Sequence, residues 1–141
     1  MFGIEKPMPN PTEDTEKYWE ATRKGELLIM ACGDCGHRYM PPMPICPVCW
    51  SESVKWTKAS GRGKVYSFIV VHRPQHPAFF PDAPYNVAMI DLEEGPRIHS
   101  RIVTEPGQMI DPTLIKVDMP VEVVFEKIDS ETTLPMFRPT T

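Results

Sequence analysis

All four cysteines of this 141-residue chain fall within residues 30–50, MACGDCGHRYMPPMPICPVCW. They form two C-x-x-C pairs with ten residues between the pairs: Cys32, Cys35, Cys46 and Cys49. Two pairs supply the four thiolates of a tetrahedral metal site, whereas a redox dithiol motif needs only one pair. The spacing therefore predicts a four-cysteine, rubredoxin-like zinc ribbon.

The alternative of two disulfides depends on the cellular compartment. The first residues, MFGIEKPMPNPTED, contain no apolar segment typical of a signal peptide, so we expect a cytoplasmic protein whose thiols stay reduced and free for metal. Iron also accepts four sulfur ligands, so the spacing leaves the choice between zinc and iron open. Because four thiolates leave no open coordination position, we expect the metal to be structural.

Charge is distributed unevenly along the chain. The net charge is −4 and the pI is about 5.5, a balance that disfavours a general nucleic-acid binder. Residues 53–81 nevertheless contain no acidic residue and five basic ones: Lys55, Lys58, Arg62, Lys64 and Arg73. Such a stretch is either a solvated face or a site for a small anionic ligand. No apolar run approaches the roughly 20 residues of a membrane-spanning helix, so we expect no membrane partner.

Residues 12–25 predict one helix, with Thr12 as its N-cap and Gly25 just beyond its last turn. The rest of the chain is predicted to be mainly β. One strand, at 26–31, enters the ribbon, and five further strands are predicted at 64–73, 85–92, 97–103, 121–128 and 134–138. Five short strands with a helical turn after the third are typical of an OB-fold barrel.

These elements divide the chain into three predicted parts. They are an N-terminal extension and helix at 1–25, a zinc ribbon at 26–58 and a five-stranded OB-fold domain at 59–141.

Two aromatic features are candidates for docking a partner. Trp19 lies on the predicted N-terminal helix, where an aromatic side chain serves either internal packing or a partner surface. Phe79 and Phe80 lie in PQHPAFFPDAP, a loop that four prolines stiffen. One phenylalanine either plugs the barrel mouth or inserts into a partner at a reduced loss of entropy.

Several stretches together resemble a known family: YWEATRKGELLIMACGDCG, CPVC, GRGKVYSF, PYNVAMIDLEEGPRIHSRI and VEVVFE. They are similar to the zinc-ribbon/OB-fold family long labelled a domain of unknown function. Members of that family accompany thiolases, thiolase-like aldolases and hydroxymethylglutaryl-CoA synthases. The resemblance covers nearly the whole chain. One departure is Trp50, where the family usually has glycine or another small residue, so we expect the outer surface of that turn to differ.

The resemblance implies a non-catalytic accessory subunit in a hetero-oligomer with a thiolase-like catalytic chain. It also implies that a coenzyme A thioester is the substrate of the complex. The basic residues Lys58, Arg62, Lys64 and Arg73 are then candidates to bind the CoA phosphates. The residues themselves agree with an accessory role, because all four cysteines are predicted metal ligands and no other catalytic constellation is evident.

The alternative function is a nucleic-acid-binding module, because ribbons and OB barrels both occur in such proteins. That function needs a surface on which aromatic side chains are interleaved with basic ones. Such a surface could begin with Tyr66, Phe68 and Arg73. The acidic balance of the rest of the chain opposes it, so we expect no nucleic-acid partner.

Overall fold

A computed structural model describes residues 5–140 of the protein, in which one α-helix precedes ten strands. The helix is α1 (Glu16–Arg23). The strands are β1 (Leu28–Cys32), β2 (Arg38–Tyr39), β3 (Val54–Lys58), β4 (Arg62–Val71), β5 (Tyr85–Leu92), β6 (Arg97–Ser100), β7 (Val103–Glu105), β8 (Gln108–Met109), β9 (Pro120–Lys127) and β10 (Thr133–Pro139). Two short 3₁₀ helices, Pro77–Asp82 and Pro112–Leu114, interrupt the loops. No helix among the described residues is long and apolar enough to cross a membrane.

The helix begins later than the sequence predicts. Thr15 is the residue before the helix, but its side chain makes no capping hydrogen bond. The N–H of Thr12 donates to Thr15 Oγ1 at 2.9 Å and the N–H of Glu16 donates to the carbonyl of Thr12 at 2.8 Å, so residues 12–15 form a turn that leads into the helix. The C-terminal end agrees with the prediction. Gly25 has a φ of +77°, and the N–H of Glu26 donates to the carbonyl of Ala21, which is the bonding pattern of a Schellman motif.

The ribbon contains a three-stranded antiparallel sheet in the order β2-β1-β3. Met30 in the central strand pairs with Tyr39 on one side and Trp56 on the other. The strand predicted at 26–31 is thus present, shifted to Leu28–Cys32. Its last residue is Cys32, so the first cysteine turn begins where this strand ends.

The second sheet is the predicted barrel, and the mainly β fold class is confirmed. Its order is β10-β9-β4-β5-β6, with antiparallel neighbours. A parallel bridge between Ile102 and Phe137 joins the region after β6 to β10 and closes the curled sheet. Strand β5 alternates strictly between half-buried and buried positions, which is the period of a strand with one face in a core.

The strand predicted at 97–103 is wrong in one respect, because it breaks after Ser100 into β6 and β7. The buried side chain of Asn86 accounts for the break. Its amide donates to the carbonyl of Ile102 at 2.9 Å and accepts from the N–H of Ile102 at 2.8 Å. Ile102 therefore bonds to a side chain where a continuous strand would bond to a neighbour, and its own side chain enters the core.

The ribbon strand and the barrel share one hydrophobic core. Leu27 and Ile29 belong to the same buried cluster as Val65, Ile90 and Phe137 of the barrel. Full burial of a side chain of this size contributes about 1.5–3 kcal/mol, so β1 is fastened to the barrel independently of any metal. The boundary between ribbon and barrel at residues 58 and 59 remains a prediction.

Candidate functional site

The structure brings all four cysteine sulfurs into one cluster, in which the ligand atoms lie within 4.8 Å of one another. Cys32 Sγ lies 3.5 Å from Cys49 Sγ, and Cys35 Sγ lies 3.6 Å from Cys46 Sγ. The sulfurs of a zinc tetrahedron with ordinary bond lengths are separated by about 3.8 Å. A disulfide would need about 2.05 Å. The four sulfurs therefore fit a zinc ion with a complete set of thiolate ligands.

Backbone N–H groups surround these sulfurs and favour their ionised form. The N–H of Cys35 and then that of Asp34 donate to Cys32 Sγ, and they lower the pKa of Cys32 to about 6. The N–H of Ser51 lowers the pKa of Cys49, but desolvation and the neighbouring thiols outweigh it and raise the value to about 12. Four thiolates this close repel one another, and a divalent cation relieves that repulsion.

The predicted CoA-binding residues do not form one cluster. Three of them pair with acidic residues: Lys58 with Glu26 at 4.0 Å, Arg62 with Glu93 at 3.0 Å and Lys64 with Asp118 at 3.9 Å. The Ser60 hydroxyl and the Arg62 charge lower the pKa of Glu93, so that carboxylate is ionised at neutral pH.

Arg73 differs from the other three basic residues. It is exposed, and it has no ion-pair partner within residues 5–140. Arg62 begins β4 and Arg73 follows its end, so the ten residues of that strand separate them by about 30 Å along the strand. A single phosphate group cannot contact both.

The three predicted docking residues differ in exposure. Trp19 is half-buried and lies edge-on to Tyr18, with ring centroids 5.1 Å apart. Phe79 is half-buried against Tyr85 at 6.1 Å. Phe80, its neighbour, is 55% exposed. The proline-rich loop thus uses one phenylalanine for packing and presents the other to solvent.

Comparison with known proteins places these parts in one family. Residues 19–55 match the rubredoxin-like zinc ribbon domain of ChsH2, and residues 56–126 match its C-terminal OB-fold domain. A DUF35 domain-containing scaffold protein from Pyrococcus furiosus is 35% identical over 79% of this chain and 78% of its own length. This chain belongs to the DUF35 family. The family resemblance seen in the sequence is therefore confirmed.

Two other relatives of this DUF35 chain have names that refer to acyl-CoA chemistry. A probable enoyl-CoA hydratase alpha subunit from Thermomonospora curvata is 40% identical over 95% of this chain. This chain spans only 40% of the length of that subunit. The benzoylsuccinyl-CoA thiolase subunit BbsA of Thauera aromatica is 35% identical over 54% of this chain and 51% of its own length.

A solved structure shares nearly the whole fold. A chain of the Ltp2-ChsH2(DUF35) aldolase superposes with a TM-score of 0.82 and 39% identity, and the match covers 95% of this chain and 100% of that chain. The helix, ribbon and barrel therefore form one conserved arrangement in both proteins.

Trp50 sets the second cysteine turn of this DUF35 chain apart from the first. The residue after each C-x-x-C pair has a left-handed backbone: φ is +77° at Gly36 and +66° at Trp50. Glycine adopts that conformation freely, whereas a bulky residue is strained there. The geometry explains why a glycine is expected after the last cysteine, and it makes Trp50 an unusual occupant.

The Trp50 side chain is 79% exposed, and three other apolar side chains of residues 43–50 are exposed as well. We call this group the knuckle surface: Met43, Ile45, Val48 and Trp50. Sequence reasoning marked Trp50 and the outer surface of its turn but did not include Met43, Ile45 and Val48. The signal was present in the apolar residues between and beside the second pair of cysteines, where no core was available to bury them.

Proposed function

We infer that this chain is a non-catalytic accessory subunit of a thiolase-like acyl-CoA enzyme complex. The observation that carries the proposal is the match of nearly the whole chain to the DUF35 chain of an aldolase complex. The names of two further relatives, a hydratase alpha subunit and a thiolase subunit, support the same role.

The chemistry of the chain agrees with an accessory role. Its four cysteines converge on one cluster, so none is left elsewhere as a nucleophile. When bound, zinc supplies a cross-link between the two cysteine turns. The four thiolates fill its coordination shell and leave no position for a substrate. Cys32, Cys35, Cys46 and Cys49 therefore hold a structural metal.

In this proposal the partner contacts two sets of exposed apolar side chains, one in the ribbon and one in the proline-rich loop. Phe80 and the knuckle surface present apolar side chains to solvent, and prolines restrict the backbone around both. Trp19 and Phe79 are half-buried and remain candidates for a smaller share of the contact. Segments that are already ordered lose little entropy on association, which favours a stable complex.

The substrate of the complex is, in this proposal, a coenzyme A thioester whose phosphates face the basic residues of the barrel. Arg73 is the strongest of the four candidates because it has no competing carboxylate in the described part of the chain, whereas Lys58, Arg62 and Lys64 do. The similarity to the benzoylsuccinyl-CoA thiolase subunit makes benzoylsuccinyl-CoA one candidate thioester.

Kinetics of the assembled complex separate these basic residues. Arg73→Ala should raise the KM for the acyl-CoA while changing kcat little, because a phosphate contact lies far from the reacting bond. Lys116→Ala, which removes an exposed positive charge outside the four candidates, is the control. The contradicting result is an unchanged KM in Arg73→Ala and in the quadruple alanine variant at Lys58, Arg62, Lys64 and Arg73. It would show that CoA does not contact these residues.

The nucleic-acid alternative is weaker because its stacking surface is occupied. The Arg97 guanidinium lies 3.4 Å from the centroid of the Tyr66 ring and is held there by Asp91 at 2.6 Å. Phe68 packs against the core cluster. One ring is used for core packing and one face of the other, which stays 47% exposed, is covered, so the pair does not form a continuous stacking surface.

Assembly tests the proposal directly. The tagged chain is purified from its natural host, and the co-purifying chains are identified by mass spectrometry and weighed as a complex. A thiolase-fold chain in fixed stoichiometry is the expected result. Phe80→Ala and Trp50→Ala should weaken that complex, whereas Ile69→Ala, an exposed apolar residue on β4, serves as the matched control. A chain that elutes alone or with nucleic acid would refute the proposal.

A further inference from the structure

A cavity of about 440 Å³ lies between the N-terminal segment, helix α1 and the barrel. Its volume is within the range of about 300–1,000 Å³ found for small-molecule sites. Most of its wall is apolar and includes Met8, Trp19, Phe79, Ile128 and Leu134. A wall of this kind accommodates the apolar body of an organic molecule.

The polar groups of the wall are mostly paired with other parts of the protein. Asn86 uses both ends of its amide on the backbone of Ile102, and Ser100 Oγ donates to the carbonyl of Pro135 at 2.9 Å. Lys6 lies 2.6 Å from a carboxylate oxygen of Asp82, so these two charges cancel. Burial raises the pKa of Tyr18 to about 12, so its phenol stays neutral.

Arg101 is the exception. It lines the cavity, is half-buried, and lies with its guanidinium 4.5 Å from the centroid of the Tyr85 ring. No acidic side chain within residues 5–140 forms an ion pair with it. A guanidinium stacked on an aromatic ring keeps its N–H fork available for a carboxylate.

The acidic residue of the wall lies away from this end. Glu126 pairs with Leu134 on β10, whereas the backbone of Arg101 bonds to Phe137, three residues further along the same strand. Three residues of a strand correspond to about 10 Å. The cavity is thus positive at the Arg101 end and repels a second negative charge at the Glu126 end.

We propose that this cavity binds a small organic anion, an apolar molecule with one carboxylate that the Arg101 guanidinium holds. The site belongs to this chain alone, so it does not depend on the proposed function. Phe79 forms part of its wall and also of the proline-rich loop. Occupancy therefore places a ligand directly beside that loop.

The test uses the full zinc-loaded chain and 4-phenylbutyrate as the probe, with the neutral 4-phenyl-1-butanol as its matched control. Binding is followed by NMR through the indole N–H signals. The chain gives three indole signals, of which only Trp19 lines the cavity; the Trp50 signal is the internal control.

The acid should shift the Trp19 signal saturably and bind at least tenfold more tightly than the alcohol. Arg101→Gln should weaken binding of the acid about tenfold and leave that of the alcohol within twofold. Arg62→Gln, which lies outside the cavity, should change neither. Arg101→Lys keeps the charge without the fork, so it should give an intermediate loss.

Three results would overturn the proposal. They are equal binding of acid and alcohol in the unmodified chain, no saturable shift at Trp19 with the acid, and displacement of the acid by millimolar inorganic phosphate. The first two need no variant, so they decide the question even if Arg101→Gln fails to fold.

Discussion

The tip of the ribbon and the barrel are held together by different interactions. Between Gly33 and Ser53, only Tyr39 and Cys46 are buried. The barrel instead contains a continuous cluster that includes Val65, Ile90 and Phe137. A segment of about 20 residues cannot bury enough apolar surface to fold alone, and a metal site replaces the core that it lacks.

The difference also explains what each region presents to solvent. Because zinc stabilises the ribbon tip without using apolar side chains, Ile45, Val48 and Trp50 remain exposed. In the barrel, β5 uses half of its residues for the core. A metal-stabilised tip is thus suited to a rigid docking surface, and the barrel is suited to support it.

The largest expected effect comes from removing a metal ligand. Cys46→Ser should weaken zinc binding about 100-fold, since about 10–16 kcal/mol shared by four ligands is roughly 3 kcal/mol each. Amides of residues 33–53 should lose protection from hydrogen exchange. Those of Leu28–Met30 should keep it, because Leu27 and Ile29 lie in the barrel core.

Val48→Ala, which changes an exposed side chain in the same turn, is the control and should retain the metal. Loss of protection throughout β5 in Cys46→Ser would contradict the separation between tip and barrel. Retention of zinc at the unmodified level would contradict the assignment of the ligand.

A core substitution in the barrel should destabilise the barrel and β1, whereas loss of a metal ligand should destabilise only the ribbon tip. Phe137 is fully buried, and Phe137→Ala should lower the free energy of unfolding by about 3–5 kcal/mol. Because the core is shared, β1 of the ribbon should lose protection together with the barrel. Urea unfolding followed by circular dichroism measures the first effect, and hydrogen exchange measures the second.

Phe80→Ala is the matched control, with an expected change within about 0.5 kcal/mol, because this phenylalanine is largely exposed. If Phe137→Ala lost less than about 1 kcal/mol, or if β1 stayed protected, the ribbon and the barrel would not share a core.

The smallest effects are expected from two substitutions that compare the two cysteine turns. Gly36→Ala should destabilise the zinc-loaded ribbon by about 1 kcal/mol, because it places a Cβ on a left-handed residue. Trp50→Gly should stabilise it by up to about 1 kcal/mol for the same reason. Thermal unfolding of the two variants measures both changes. Shifts of the same sign would contradict the claim that the left-handed backbone favours glycine at both positions.

Local patterns predicted much of this protein. The cysteine spacing identified the residues of the metal cluster, and the alternation in YNVAMIDL predicted β5 within its observed limits. Both signals come from residues close together in sequence. The predicted helix began too early because Thr12 starts a hydrogen-bonded turn, residues 12–15, that precedes the helix itself.

The remaining features depend on residues that are distant in sequence. Arg62 is neutralised by Glu93 and Lys64 faces Asp118, so the basic stretch of the sequence is less positive in the fold. Asn86 interrupts a predicted strand through its bonds to Ile102. The strain at Trp50 becomes visible only when the backbone angles of the two turns are compared. None of these contacts has a local sequence signature.

The accessory role is tested most directly by assaying cleavage of acyl-CoA thioesters with each chain separately and with the two chains mixed. We expect no activity in this chain alone, little in the thiolase-like chain alone, and full activity in the mixture at the stoichiometry of the complex. Full activity of the large chain alone, unchanged when this chain is added, would contradict it.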